Sequence, residues 1–490
     1  MTDDPLSPWA SATVIANALR TGGVSAVEVA EAALNRVQAV NPRINAYTEV
    51  TTARALREAR SLDAARTAGR PLGPLAGVPF AVKNLFDIVG LPTRAGSRIN
   101  RDRAPARTDA TLVSRMNRAG AVLLGALGMG EYAYDFTGEN AHDGACRNPH
   151  DPARMSGGSS SGSGAATAAG IAPVSLGSDT NGSLRVPASL CGVFSLKPTY
   201  GRLSRGGTFP FVDSLDHLGP MARSVLDLAI VYDALQGPDP ADHACTDHPV
   251  TPMASVLPDV RGLRIGVLDG WFHDNAGHEA QAAVATVAAA LAPDCHVLPV
   301  RFDAAEPVRA AAYLITNSES AAFHLDRLRL RAAEFDPDTR DRFLAGALVP
   351  AAWVSRAQRV RHWGLHQAQE LFRSVDILIA AATPCPAPLG GSKVLHVAGR
   401  DLPLRPNLGL LAQPFSAIGL PVTTVPVFAP GTMPIGVQIV APPWREDLSL
   451  RVARFLEAAE VAVAHAPVTK SVGERAGERA GGRVASATAR

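Results

Sequence analysis

Two glycine- and serine-rich clusters constrain this chain more than any other feature. The first runs Gly157-Gly158-Ser159-Ser160-Ser161-Gly162-Ser163-Gly164, and the second Gly177-Ser178-Asp179-Thr180-Asn181-Gly182-Ser183-Leu184-Arg185. Between them lie a helix-like run of small residues, Ala165 to Ala169, and an apolar strand candidate, Ile171 to Leu176. Flexible linkers share this composition, but they seldom lead directly into a buried-looking helix and strand. Both clusters therefore read as loops built onto core elements.

The rest of the chain alternates in the same way. Ser25 and Glu28 form a capping box, with Val24 and Val29 spaced as a hydrophobic staple, and Val29, Ala33, Val37 and Val40 continue an apolar helical stripe. Residues 51 to 69 read as a second, more polar helix. Strand candidates are Val78 to Val82, Ala121 to Gly128, Ile265 to Leu268, Ile377 to Ala381, Val422 to Val427 and Ile435 to Ile439. Strands separated by helical stretches predict an α/β fold, a sheet with helices on both faces. The region from Ala241 to Gly262 is turn-rich and reads as an inserted loop or subdomain joint.

Composition excludes several classes. Lys+Arg 47 against Asp+Glu 45 leaves a net charge of only +2, so there is no broad nucleic-acid footprint. The basic excess sits in a Gly/Ala/Arg-rich C-terminal tail, residues 466–490, expected to be disordered. From Pro406 to Trp444 no residue is charged, but eight prolines interrupt the stretch, which predicts short buried strands and loops rather than a membrane span. The acidic N-terminus lacks the apolar run of a secretory signal. Five cysteines without a C-x-x-C point to a reducing, cytoplasmic location rather than a disulfide framework. His243, Cys245 and His248 lack an evident fourth ligand, so no metal is expected.

Three chemistries compete for the two clusters. A phosphate loop needs a lysine after the glycines, and none follows. Gly158-Ser159-Ser160-Ser161-Gly162 satisfies the nucleophile-elbow pattern, but that elbow must follow a buried strand, and Cys146 to Met155 is polar. The third option comes from a resemblance: the clusters and the upstream Val78-Pro79-Phe80-Ala81-Val82-Lys83-Asn84 are similar to the amidase signature hydrolases, which implies that the serines pair with Lys83. A serine hydroxyl needs a base within hydrogen-bond reach. Lysine is a base only when neutral, and burial without a carboxylate partner lowers its pKa. Taken alone, Lys83 would read as a strand-end lysine snorkelling to solvent.

Together these segments resemble the amidase signature hydrolases. The likeness continues in Val186-Pro187-Ala188-Ser189-Leu190-Cys191-Gly192, Leu196-Lys197-Pro198-Thr199, Ser214-Leu215-Asp216-His217-Leu218-Gly219-Pro220, Gly419-Leu420-Pro421 and Pro434-Ile435-Gly436-Val437-Gln438. It implies the amidase signature fold, a large twisted mixed sheet flanked by helices, over residues 1–465, with a catalytic core at about 70–230. It implies that Ser183 is the acylated nucleophile, Ser159 a bridging serine preceded by a cis peptide bond, and Lys83 the base. Backbone N–H groups of Thr180, Asn181, Gly182 and Ser183 would form an oxyanion hole. Most family members carry Gly-Gly-Ser where this chain has Asn181-Gly182-Ser183. Asp179 and Arg185 would pair to hold the loop, or Arg185 would face a substrate carboxylate, and Tyr134 and Asp135 stand where relatives place pocket residues. No cofactor is implied.

Within the family, Gly177 to Ser183, Phe209 to Pro220 and Gln413-Pro414-Phe415-Ser416 resemble the 1-carboxybiuret hydrolase type. That implies cleavage of a small urea-like amide with release of ammonia. It also implies a small helical partner subunit in a homo- or hetero-oligomer. The alternatives are a glutamine amidotransferase subunit delivering ammonia to a tRNA-dependent partner, and a non-catalytic scaffold of the same fold. The presence of Lys83, Ser159 and Ser183 together argues against the scaffold.

Overall fold

The computed structural model describes residues 2–429 and 431–467, so the basic tail from residue 468 onward lies outside the described residues. Eleven strands form one sheet: β1 (Tyr47–Val50), β2 (Pro79–Lys83), β3 (Val122–Leu127), β4 (Val174–Asp179), β5 (Phe194–Lys197), β6 (His217–Ala222), β7 (Arg264–Leu268), β8 (His296–Val300), β9 (Ile377–Ala381), β12 (Val422–Val427) and β13 (Ile435–Val440). A separate hairpin pairs β10 (Val394–Val397) with β11 (Arg400–Pro403). Across the large sheet the order is β1-β3-β2-β4-β6-β5-β12-β13-β9-β7-β8. The fold is thus a mixed α/β sheet with parallel blocks β3-β2-β4 and β9-β7-β8 around an antiparallel centre.

Burial explains which segments became strands. β2, β3, β4, β9, β12 and β13 are buried at every residue. Strands covered on both faces read as continuous apolar runs, which is how six of the seven expected strands announced themselves. The third differs in extent. Ile171 to Pro173 form a turn, and β4 begins at Val174 and runs on to Asp179, carrying Ser178 and Asp179 inside the strand. No sequence signal marked β1, β5, β6 or β8. β8 is a largely exposed edge strand containing Pro299, a position that tolerates proline.

The capping box at Ser25 and Glu28 is formed and opens the helix Ala26–Ile44. The helix Thr52–Thr67 matches the second expected one. No helix or strand lies between Leu235 and Arg264, so the turn-rich region is a loop. The proline-rich apolar stretch folds into the short helices Leu404–Asn407 and Gln413–Ala417 and the paired β12 and β13. Among the described residues no helix is long and apolar enough to cross a membrane.

β2 and β4 are parallel neighbours, with Val82 opposite Leu176. Their C-terminal ends therefore open on the same side, the usual place for a site in a parallel sheet. The helix Ser161–Ala168 packs beneath and is completely buried. Its small residues are required by close approach: a Cβ on Gly162 would lie 2.4 Å from the carbonyl oxygen of Ala46. Hydroxyls stitch it to β4, Ser163 Oγ donating to Leu176 O at 3.0 Å and Ser175 Oγ to Ser163 O at 3.0 Å. The first glycine-serine cluster is thus a rigid floor.

Candidate active site

Lys83 is the last residue of β2 and is fully buried. Its Nζ donates to Ser159 Oγ at 2.7 Å and to Ser178 Oγ at 2.8 Å. Ser159 is also fully buried, and the Gly158–Ser159 peptide bond is cis. The chain turns at Ser160, whose N–H donates to Ser183 O at 3.4 Å and whose hydroxyl donates to Ser178 O at 3.0 Å. The two loops are therefore clasped together at Ser160, the residue next to Ser159. Ser183 lines a cavity, and Lys83 and Ser159 are not among its lining residues. Ser178 is the group that sequence reasoning missed as a site residue. Its signal was its place within Gly177 to Ser183, next to the strand end.

Burial pushes the Lys83 amine down from 10.5 to about 7, against the opposing pull of Asp216, Asp179 and Asp135. No carboxylate touches the amine, because each of these three is otherwise engaged. Asp216 accepts from Thr180 Oγ1 at 2.5 Å and from the N–H groups of Phe211 and Val212. Burial pushes its carboxyl up, partly offset by those hydrogen bonds.

Asp179 pins the second loop. Its Oδ1 accepts from the N–H of Gly182 at 2.7 Å and from Ser416 Oγ at 2.7 Å, and its Oδ2 from the N–H of Leu184 at 3.2 Å. Burial alone would raise this carboxyl, but Arg185, Lys197 and Ser416 hold it well below the usual range. Arg185 is buried and makes both contacts of a bidentate pair with Asp179. It also donates to Ala412 O, Gln438 Oε1 and Ser416 Oγ. All five guanidinium hydrogens are spent, so Arg185 is not available to a substrate carboxylate. This corrects its assignment as a substrate-binding residue and leaves the loop-holding alternative.

The expected oxyanion hole also needs correcting. The Gly182 N–H is committed to Asp179. The N–H groups of Thr180, Asn181 and Ser183 donate to no described residue. Gly182 sits at φ +130°, and a Cβ there would lie 2.7 Å from the Ala412 Cβ, so only glycine fits.

The cavity is lined by residues from two loops and three helices, with Phe211 beside them. Tyr134, Asp135 and Phe136 come from one loop and Thr180, Asn181 and Ser183 from another. Tyr313 and Thr316 come from the helix Ala305–Arg331, Arg342 from the helix Pro337–Gly346 and Gln413 from the helix Gln413–Ala417. Its free volume is about 20 Å³, room for about one water. Tyr134 hydrogen-bonds Asn317, and its ring lies under the Arg342 guanidinium at 3.9 Å. Asp135 reaches the cavity wall, but its oxygens are held by Arg405 at 2.6 Å, by Thr137 and by the Gly138 N–H. Arg342 donates to Tyr134 O at 3.0 Å and makes no ion pair among the described residues. Gln413 gives its oxygen to Arg309 at 2.8 Å. Tyr313, Thr316 and Arg342 carry no sequence signal, since they lie on helices far along the chain from either cluster.

The Amidase family model matches residues 28–450. AtzE of Pseudomonas sp. (strain ADP), described as a subunit of 1-carboxybiuret hydrolase, is 54% identical over 452 residues, covering 91% of this chain and 98% of that protein. A glutamyl-tRNA(Gln) amidotransferase subunit of Roseiflexus castenholzii is 39% identical over 464 residues, covering 89% and 92%. A solved structure described as a vestigial protein complex revealing the origins of an s-triazine catabolic enzyme superposes with a TM-score of 0.91 at 52% identity, covering 93% of this chain and 100% of that one. The chain belongs to the amidase signature family, hydrolases that act on amide C–N bonds.

Proposed function

We propose that this chain hydrolyses the terminal amide of a small, linear, urea-like acid, 1-carboxybiuret or a related ureide, through an acyl-enzyme on Ser183. The observation that carries the reading is the buried Lys83 amine, 2.7 Å from Ser159 Oγ, together with a cavity lined by Ser183 and by Arg342, a cation without an acid partner among the described residues. Similarity to a 1-carboxybiuret hydrolase subunit supports the substrate class.

The neutral Lys83 amine takes the Ser159 proton as Ser159 takes the Ser183 proton, and Ser183 Oγ attacks the carbonyl carbon. Ser178 Oγ keeps the amine oriented by accepting one of its remaining N–H bonds. The oxyanion is received by N–H groups of Thr180, Asn181 and Ser183, worth several kcal/mol, roughly 3, in a site closed to water. The proton returns along Ser159 to the nitrogen, the C–N bond breaks and ammonia leaves. Water then repeats the attack on the acyl-enzyme through the same relay, which frees the carboxylic acid and restores Ser183.

Arg342 receives the substrate carboxylate, and the free amide nitrogen of Gln413 donates to a substrate carbonyl. Arg342 and Tyr313, the partly exposed members of the wall, yield to admit a substrate larger than the resting cavity. The enzyme works in a reducing compartment, the cytoplasm, a reading supported by five unpaired cysteines. It works with a small helical partner subunit, supported by the exposed Leu330, Leu348 and Trp353 on the helical layer and by the complex described for its structural neighbour.

The test is ammonia release over carboxybiuret, biuret, allophanate, oxalurate, malonamate and glutamine, with wild type and Ser183→Ala. Turnover fastest on the ureido acids, slower but measurable on biuret and malonamate, and lost in the variant is expected. Glutamine as the only substrate would replace this reading with the amidotransferase one.

A further inference from the structure

Asn181 stands two residues before Ser183 in the cavity wall and is only 7% exposed. Its Nδ2 donates to Thr316 Oγ1 at 2.9 Å. Its Oδ1 is buried and accepts nothing, and among the described residues lining the cavity it is the one buried side-chain atom without a partner. The other acceptors of the wall are occupied: Asp135 by Arg405, Thr137 and Gly138, and Gln413 by Arg309. A buried acceptor left unpaired is costly, and native structures keep few of them without a use.

We infer that Asn181 Oδ1 is a specificity determinant that accepts the N–H on the acyl side of the scissile carbonyl. The inference rests on the substrate class proposed above and deepens it. Ureido amides carry an N–H next to the reacting carbonyl. Carbon-chain amides of the same length carry a CH2 there, which cannot satisfy the oxygen. The Thr316 bond fixes the amide plane, so the acceptor is positioned before substrate arrives. Discrimination arises because the methylene analogue leaves the buried oxygen unpaired, which is how polar pockets reject isosteres lacking a hydrogen-bonding group.

Two isosteric substrate pairs test this: biuret against malonamide, and allophanate against malonamate. In each pair an N–H replaces a CH2 and the reacting amide is otherwise the same. The quantity read is the change in the ratio of kcat/KM values on substitution, so intrinsic reactivity cancels. Asn181→Ala is expected to lower the ureido-to-methylene ratio by about tenfold or more, beyond any loss common to both members of a pair. Asn181→Gly, which restores the common family residue, should do the same and guards against a folding defect in the first variant. A ratio within about threefold of wild type in both variants overturns the inference, as does an equal loss on both members of each pair. Failure of wild type on every ureido substrate would instead overturn the proposed function, so the two failures are distinct.

Discussion

The depressed pKa of Lys83 makes catalysis a titration. Its fall from 10.5 to about 7 corresponds, at about 1.4 kcal/mol per tenfold, to about 5 kcal/mol of preference for the neutral amine over that of an exposed lysine. At pH 7 about half of the molecules then hold a competent base, against roughly one in 3,000 for an exposed lysine. With kcat/KM followed by ammonia release from pH 5.5 to 9.5, the rate should rise through an acid limb centred near pH 7. Activity at pH 6 should be about a tenth of the plateau. Asp216 is the carboxylate that most opposes the fall. Asp216→Asn should move the limb to lower pH, while the plateau drops because Thr180, Phe211 and Val212 lose an anionic acceptor. A profile flat across this range, or an acid limb near pH 10, would refute the neutral-amine base. A limb that stays in place in Asp216→Asn would refute the electrostatic reasoning.

The same group sets a stability trade. The folded pKa of Lys83 lies below the unfolded one, so its burial penalty is largest below about pH 7 and fades as pH rises toward 10.5. Lys83→Met should therefore abolish activity yet stabilise the protein at pH 7 by about 1–3 kcal/mol, after the lost bonds to Ser159 and Ser178, and by less at pH 10. Denaturant melts showing a less stable variant at pH 7 would contradict this. Ser178→Ala should lower kcat about 10- to 100-fold with KM nearly unchanged, since it loosens the amine and not the substrate. Arg185→Met, which strands Asp179 as a buried unpaired charge, should cost about 3–5 kcal/mol in unfolding experiments, and a cost below about 1 would show the pair to be dispensable. Arg342→Gln should raise KM for allophanate at least about tenfold while leaving biuret nearly unaffected, and equal effects on both would remove it from carboxylate recognition.

The core strands were legible because burial on both faces leaves an apolar run no other element needs, as in β9, β12 and β13. β1 and β5 were not, because four residues carry too little pattern. Residue type alone did not single out the candidate base. Lys83 and Lys197 both end buried strands, and both are fully buried. They differ in their partners, two serine hydroxyls for the first and the Pro198 carbonyl for the second, and only the motif context separated them beforehand. Arg185 was ambiguous for a related reason. Its partners Ala412, Ser416 and Gln438 lie more than 220 residues away, a distance over which sequence pattern carries no contact information. The commitment of the Gly182 N–H to Asp179 was invisible as well, since it depends on where a carboxylate points.

That long reach has a consequence for biosynthesis. Ser183 is translated well before the segment that holds its loop, because Arg185 finds its last acceptors on residues 412 to 438, and β5 pairs with β12 rather than with any earlier strand beyond β6. A chain emerging from the ribosome thus carries its serines into the open before the residues that complete their cradle have been made.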